Sequence, residues 1–253
     1  MLVLQPERIE QAEAELAALR ADVMIVMAYG QLIKKRILAL PQRAFINLHA
    51  SLLPKYRGAA CIQAAITNGD THSGITSMHV VRKLDAGDVI LSRSIPLSID
   101  ETGGSLHDKL ADLAVDVMHE TLAGLAAGTA QRTPQDESLA SHVPKLHRED
   151  GKIDWSRPAE EIERMIRAYD PWPGSYTEFE EKGAKRRLKL YPYVTVQSYG
   201  ELKPGQLERR DDGVLVGTGT FPLTLGDVQM EGGKGMSAES FLLGRPLARF
   251  ADL

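Results

Sequence analysis

The sequence predicts an α/β protein: a Rossmann-like, mostly parallel sheet, followed by a small OB-like β-barrel. Three observations predict it. Apolar runs of strand length alternate with segments of helical period up to about residue 127. A polar, proline-containing stretch, 131–150, then interrupts the pattern. Beyond it the strands are short and are broken by Gly, Pro and Asp. The expected division is residues 1–147, with a linker at 131–147, and residues 148–253.

The elements follow in order. Residues 7–20 form an amphipathic helix with Ile9, Leu16 and Leu19 on one stripe and Ala12 filling it. Residues 23–29 are apolar on both faces, as in a strand inside a parallel sheet. A short helix at 31–38 and a strand at 44–50 come next, then a loop between Pro54 and Gly58 and a helix of small residues to 66. Strands are expected at 75–81 and 89–97. A long helix spans 102–127, with Leu106, Leu110, Leu113 and Val117 at helical spacing. In the second half a helix at 159–167 turns Ile162, Met165 and Ile166 inward, and Asp170-Pro171-Trp172-Pro173-Gly174 forms a rigid turn. Strands follow at 175–179, 186–196, 214–217 and 222–229, then a helix at 237–243 with Ser237 as N-cap.

Composition narrows the function classes. A net charge of −4, with acids and bases balanced in both halves, gives no bulk support for nucleic-acid binding, so any such partner must use local clusters. One cysteine, Cys61, allows no internal disulfide and no cysteine-type zinc site. No apolar run approaches a membrane span, and the N-terminus has no secretory leader pattern. A cytoplasmic protein with no membrane partner is the expectation, and a monomer is expected.

The chemistry concentrates between residues 46 and 88. Asn47 and His49 are two apart on the expected strand 44–50, so both leave the same face. A sheet of this class places its sites at the carboxyl ends of strands. Transfer of a one-carbon acyl group to an amine needs donors for an oxyanion and groups that move two protons. An amide beside an imidazole, with a carboxylate returning from the Leu84-Asp85-Ala86-Gly87-Asp88 loop, supplies these. Taken alone, Asn-x-His is more often a hydrogen-bonded structural pair, and Asp85 a turn residue.

The whole stretch resembles the folate-dependent formyltransferase family: Asn47-x-His49-x-Ser51-Leu52-Leu53-Pro54, then Arg57-Gly58, then Leu84-Asp85-Ala86-Gly87-Asp88. The resemblance implies that Asn47, His49 and Asp85 are catalytic and that 10-formyltetrahydrofolate is the donor; no metal is expected, since no compact ligand spacing supports one. It further implies that Ser51, Leu52, Leu53 and Pro54 contact the folate and that Tyr29 and Gly30 wall its pterin pocket. Ile153-Asp154-Trp155, the Pro-Trp-Pro turn and Lys234-Gly235-Met236-Ser237-Ala238 resemble the second domain of members that formylate methionine carried by initiator tRNA. Members acting on amino sugars linked to nucleotides share the first two elements, so the acceptor alternatives are methionyl-initiator-tRNA and a sugar-nucleotide amine. A chain that binds RNA without turnover is the alternative of another class. Against the family pattern the chain lacks an initial βαβ segment with a basic loop, so 23–29 is expected at a sheet edge.

Other clusters carry less. Lys182, Lys185, Arg186, Arg187 and Lys189 suit a phosphate-tracking face for tRNA, or a solvated hairpin beside Glu178, Glu180 and Glu181. His72, His79 and Asp85 lack compact metal-ligand spacing. Gly232-Gly233-Lys234-Gly235 lacks the spacing of a nucleotide phosphate loop.

Overall fold

The computed structural model describes residues 3–211, 213–243, 245 and 250. The chain forms two compact units: residues to 61 with 72–96 and 108–144, and residues 62–71 with 97–107 and everything from Lys145 on.

In chain order the first half holds α1 (Glu13–Ala18), β1 (Val23–Val26), α2 (Lys35–Leu38), β2 (Ala44–His49), β3 (Arg57–Gly58), α3 (Cys61–Thr67), β4 (His72–His79), β5 (Val89–Pro96), α4 (Gly103–Ala127) and β6 (His142–Val143). A four-stranded sheet runs in the order β1-β2-β4-β5. The α/β class holds, but the proportion of parallel pairing differs from expectation: β1–β2 is parallel, whereas β2–β4 and β4–β5 are antiparallel. Because β4 and β5 follow one another through the short 80–88 loop, they pair as a hairpin, which a crossover helix would otherwise have prevented. Among the described residues β1 lies at the sheet edge beside β2; none of its four residues is fully buried, and Ile25 is 44% exposed. It also ends at Val26, because Ala28 adopts a left-handed φ of 48°.

The alternation of β2 sorts its side chains. Ala44 and Ile46, with Ile90, are packed by Met118, Leu122 and Leu125 of α4. Phe45, Asn47 and His49 leave the other face. α4 opens on a reciprocal cap: Ser105 N–H donates to Thr102 Oγ1 at 3.1 Å, and Thr102 N–H to Ser105 Oγ at 3.0 Å. It closes on Gly128, at φ 71°, with Thr129 N–H donating to the Gly124 carbonyl at 2.9 Å.

The second half holds α5 (Ala159–Ala168), β7 (Ser175–Glu181), β8 (Ala184–Leu190), β9 (Thr195–Val196), β10 (Leu207–Arg210), β11 (Gly213–Val216), β12 (Leu223–Leu225), β13 (Asp227–Met230), β14 (Gly235–Ser237) and α6 (Ala238–Leu243). Two four-stranded antiparallel sheets, β10-β11-β12-β9 and β14-β13-β8-β7, enclose one core. Ile162 and Ile166 of α5 enter it, and Trp155 stacks on Phe250 with ring centroids 5.6 Å apart. The Trp155 indole N–H donates to Thr177 Oγ1 at 2.9 Å. Two expected strands are each split: 186–196 into β8 and β9, and 222–229 at Gly226 into β12 and β13. Polar β10 and the short β14 were not expected, since neither carries an apolar alternation. Ser237 caps α6 as expected, its Oγ accepting from Ser240 N–H at 3.2 Å.

Candidate active site

His49 ends β2 and is 6% exposed. Its Nε2 lies 2.9 Å from the Tyr56 carbonyl oxygen. A carbonyl only accepts, so Nε2 carries the proton. That leaves Nδ1 as the nitrogen with chemistry to do, and it faces Asp85 Oδ2 at 3.8 Å, within ion-pair but outside hydrogen-bond range. The same Oδ2 accepts from Gly58 N–H at 2.9 Å. Two sequence-distant loops thus fix the imidazole tautomer and the carboxylate. Both depart from ordinary backbone geometry, with Tyr56 at φ 59° and Asp85 at φ 49°. Such left-handed non-glycine residues concentrate at functional sites.

Gly58 is required where it stands. Its φ is 111°, and a Cβ there would lie 2.1 Å from the Val143 carbonyl oxygen. The backbone can therefore pass close to β6, with which β3 pairs in parallel.

The Ser51–Pro54 segment is tied down from beneath. Buried Thr76 donates to the Ser51 carbonyl at 2.7 Å and accepts from Leu53 N–H at 3.2 Å. Ser51 Oγ donates to the Lys55 carbonyl at 2.6 Å. Tyr29 lines a separate apolar groove of about 320 Å³ with Ile9, Met24, Met27, Ile37 and Phe45, and Ser51–Pro54 are not among its walls. Asn47, His49 and Asp85 come from one face of β2 and the loop after β4, whereas the two groups of expected folate contacts do not share this groove.

Arg57, Gln135 and Glu137, to which the sequence assigned no role, hold the site. The Arg57 side chain is fully buried. It donates through Nε and Nη2 to Gln135 Oε1, at 3.1 and 2.8 Å, and in bidentate fashion to Glu137, at 3.1 and 3.0 Å. Lys83 Nζ donates to Glu137 Oε2 at 2.6 Å. These hydrogen bonds, Arg57 foremost and Lys83 next, pull the Glu137 carboxyl down to about 2. Residues 135–143 were expected in a linker, yet they pair with β3 and grip the site's loops. No signal in the sequence marks these contacts, since they join Arg57 to residues 78 and 80 positions away.

The expected basic cluster is partly dispersed. Lys182 and Gly183, both at positive φ, form the two-residue turn of the β7–β8 hairpin. Lys185, Arg187 and Lys189 alternate onto one face of β8, opposite Glu180, Glu178 and Tyr176. Arg187 stacks over Tyr176 at 4.7 Å, and Lys189 over Tyr191 at 4.5 Å. Arg186 leaves from the opposite face, the one that carries Leu188 into the core. Among the described residues no group of three or more His, Cys, Asp or Glu could hold a metal ion, and no helix is long and apolar enough to cross a membrane.

The chain belongs to the formyltransferase family. Residues 4–122 match the formyl transferase family, and residues 145–246 match the formyl transferase C-terminal domain. Among its relatives, methionyl-tRNA formyltransferase of Akkermansia muciniphila is 48% identical over 248 residues, covering 96% of this chain and 79% of the relative. The enzyme of the same name from Geobacter metallireducens is 41% identical, covering 96% and 77%. The fold is similar to that of HypX from Aquifex aeolicus in complex with tetrahydrofolic acid, with a TM-score of 0.66 at 21% identity, covering 92% of this chain and 40% of that one. It is also similar to a methionyl-tRNA formyltransferase from Clostridium thermocellum, with a TM-score of 0.58 at 16% identity, covering 87% and 86%.

Proposed function

We propose that this chain transfers the formyl group of 10-formyltetrahydrofolate to the α-amino group of methionyl-initiator-tRNA. The observation that carries the chemistry is the His49 arrangement: Nε2–H is committed to the Tyr56 carbonyl, and Nδ1 faces Asp85. The acceptor rests on relatives that bear this enzyme's name at 41–48% identity over most of both chains.

In this reading the methionyl amine attacks the formyl carbon. A C–N bond to the amine forms, the carbonyl becomes an oxyanion, and the bond to folate N10 then breaks. Asn47 and protonated His49 Nδ1 donate to the oxyanion. Asp85 holds the imidazolium and takes the proton that the attacking ammonium loses, and His49 returns one to N10. Tyr29, Gly30 and Ser51–Pro54 hold the folate. Residues 1–147 form the catalytic domain, and residues 148–253 the domain that engages tRNA through Lys185, Arg187 and Lys189, with Lys182 at the hairpin tip. The enzyme works as a cytoplasmic monomer.

The test is formyl transfer from 10-formyltetrahydrofolate to charged initiator tRNA, with Asn47→Ala, His49→Ala and Asp85→Asn alongside. Each variant is expected to lose kcat by about 10²-fold or more. Turnover of a nucleotide-linked amino sugar without turnover of tRNA would overturn the acceptor. Tight RNA binding with no turnover on either would overturn the enzyme.

A further inference from the structure

We propose that Gln135 is a positioning residue for formyl transfer, acting through Asp85. The proposal rests on the reading that Asp85 takes part in the reaction. Gln135 Nε2 donates to two carbonyls of the Asp85 loop, that of Asp85 itself at 2.9 Å and that of Gly87 at 2.8 Å. Its Oε1 accepts twice from buried Arg57. The amide cannot be reversed, because guanidinium only donates and carbonyls only accept. One side chain therefore connects a fully buried cation to the backbone of a left-handed residue.

Asp85 needs such a holder. Its φ of 49° is disfavoured for a residue with a Cβ, and residues 82–84 leading into it are exposed. Across the site its carboxylate accepts from the Gly58 N–H, a single backbone donor among the described residues. With the two carbonyls released, the loop relaxes toward ordinary backbone angles and the carboxylate leaves its station opposite His49 Nδ1. A misplacement of about 1 Å costs roughly 10²-fold in rate. The Lys83–Glu137 ion pair grips the same loop two residues earlier, but the Lys83 side chain is 60% exposed and its Nζ donates to the Glu137 carboxylate, not to the loop's carbonyls. Gln135 is thus the fastening that sets the Asp85 main chain.

The experiment is a double-mutant cycle read by single-turnover formyl transfer to charged initiator tRNA. Gln135→Leu removes both halves of the link. Gln135→Glu keeps an oxygen acceptor for Arg57 and sets a second oxygen against the two carbonyls, so Arg57 stays paired. Both are expected to lower the transfer rate about 10²-fold while KM for donor and for tRNA changes less than about twofold. On an Asp85→Asn background, Gln135→Leu is expected to cost less than about threefold more. Equal losses in both backgrounds would overturn the positioning role, as would a wild-type rate in Gln135→Glu. If Asp85→Asn by itself keeps the wild-type rate, Asp85 is not catalytic, and both the reading and this proposal fall. An inactive Asp85→Asn beside a fully active Gln135→Leu rejects the positioning role alone.

Discussion

The Gly58 N–H donates to Asp85 Oδ2 at 2.9 Å, joining residues 27 positions apart in the chain. The contact exists because Gly58, at φ 111°, turns its amide toward the carboxylate while its Cα passes Val143. Gly58→Ala sets a Cβ 2.1 Å from a backbone oxygen that cannot rotate away. We expect about 2–3 kcal/mol of lost stability from the strained backbone, seen as a lower denaturant midpoint, together with a fall in kcat.

Arg57 and Lys83 share Glu137, yet they should behave differently. Lys83 is 60% exposed and Arg57 is wholly buried. Lys83→Met is expected to cost under about 1 kcal/mol, as exposed pairs do. Arg57→Met also unpairs part-buried Gln135 Oε1 and is expected to cost more, about 1–3 kcal/mol. Urea denaturation of both variants reads the difference.

Glu137 gives an acid signature. Its folded pKa of about 2 lies below the ordinary 4.5. A lowered folded value means the unfolded chain binds the proton more readily, so the stabilisation is complete above about pH 4.5 and fades as pH falls toward about 2. Glu137→Gln should flatten the loss of stability in that window and leave its slope near pH 7 unchanged. Thermal melts from pH 7 to pH 3 check this.

His79 gives a second one at higher pH. Burial chiefly, and then the Arg132 charge, lower its pKa from 6.5, with Asp88 opposing. Stability contributed by its neutral form is therefore present above about pH 6.5 and declines as pH falls below it. Replacing His79 by Gln should remove that decline, which the same melts report between pH 7 and pH 5.

The face of β8 predicts a salt effect. Lys185, Arg187 and Lys189 share a face that Arg186 does not. Replacing the three with Gln should reduce the slope of log K for tRNA against log salt by about 2–3, at roughly 0.7–0.9 per phosphate contact. Arg186→Gln should leave the slope nearly unchanged.

Much of the site was legible because its core is local. The spacing of Asn47 and His49 placed both on one face, and both lie within β2, whose strand geometry keeps them there. Asp85 was a candidate carboxylate on chemical grounds, but a lone Asp in a turn carries little signal of its own, and the resemblance gave it its weight. Gln135 and Glu137 were illegible for a physical reason. Their work is to bond residues 50 to 80 positions away, and a polar stretch reads as a linker until its partners are known. The β4–β5 hairpin was taken as part of a parallel arrangement because two apolar strands look alike whichever way they run. The barrel-forming strands were found where they alternate and missed where they are short or polar, at β10 and β14.

The Trp155–Phe250 stack has a spectroscopic consequence. The chain has two tryptophans, Trp155 and Trp172, and both belong to the unit that begins again at Lys145. Trp155 is 5% exposed and Trp172 is 47% exposed, so emission from the first will shift to the red when this unit melts. The unit that contains His49 and Asp85 is dark to selective indole excitation. An unfolding curve followed by tryptophan emission therefore reports the sheets around Trp155 and is blind to the catalytic loops, whereas far-ultraviolet dichroism, with the long helix α4, sees both.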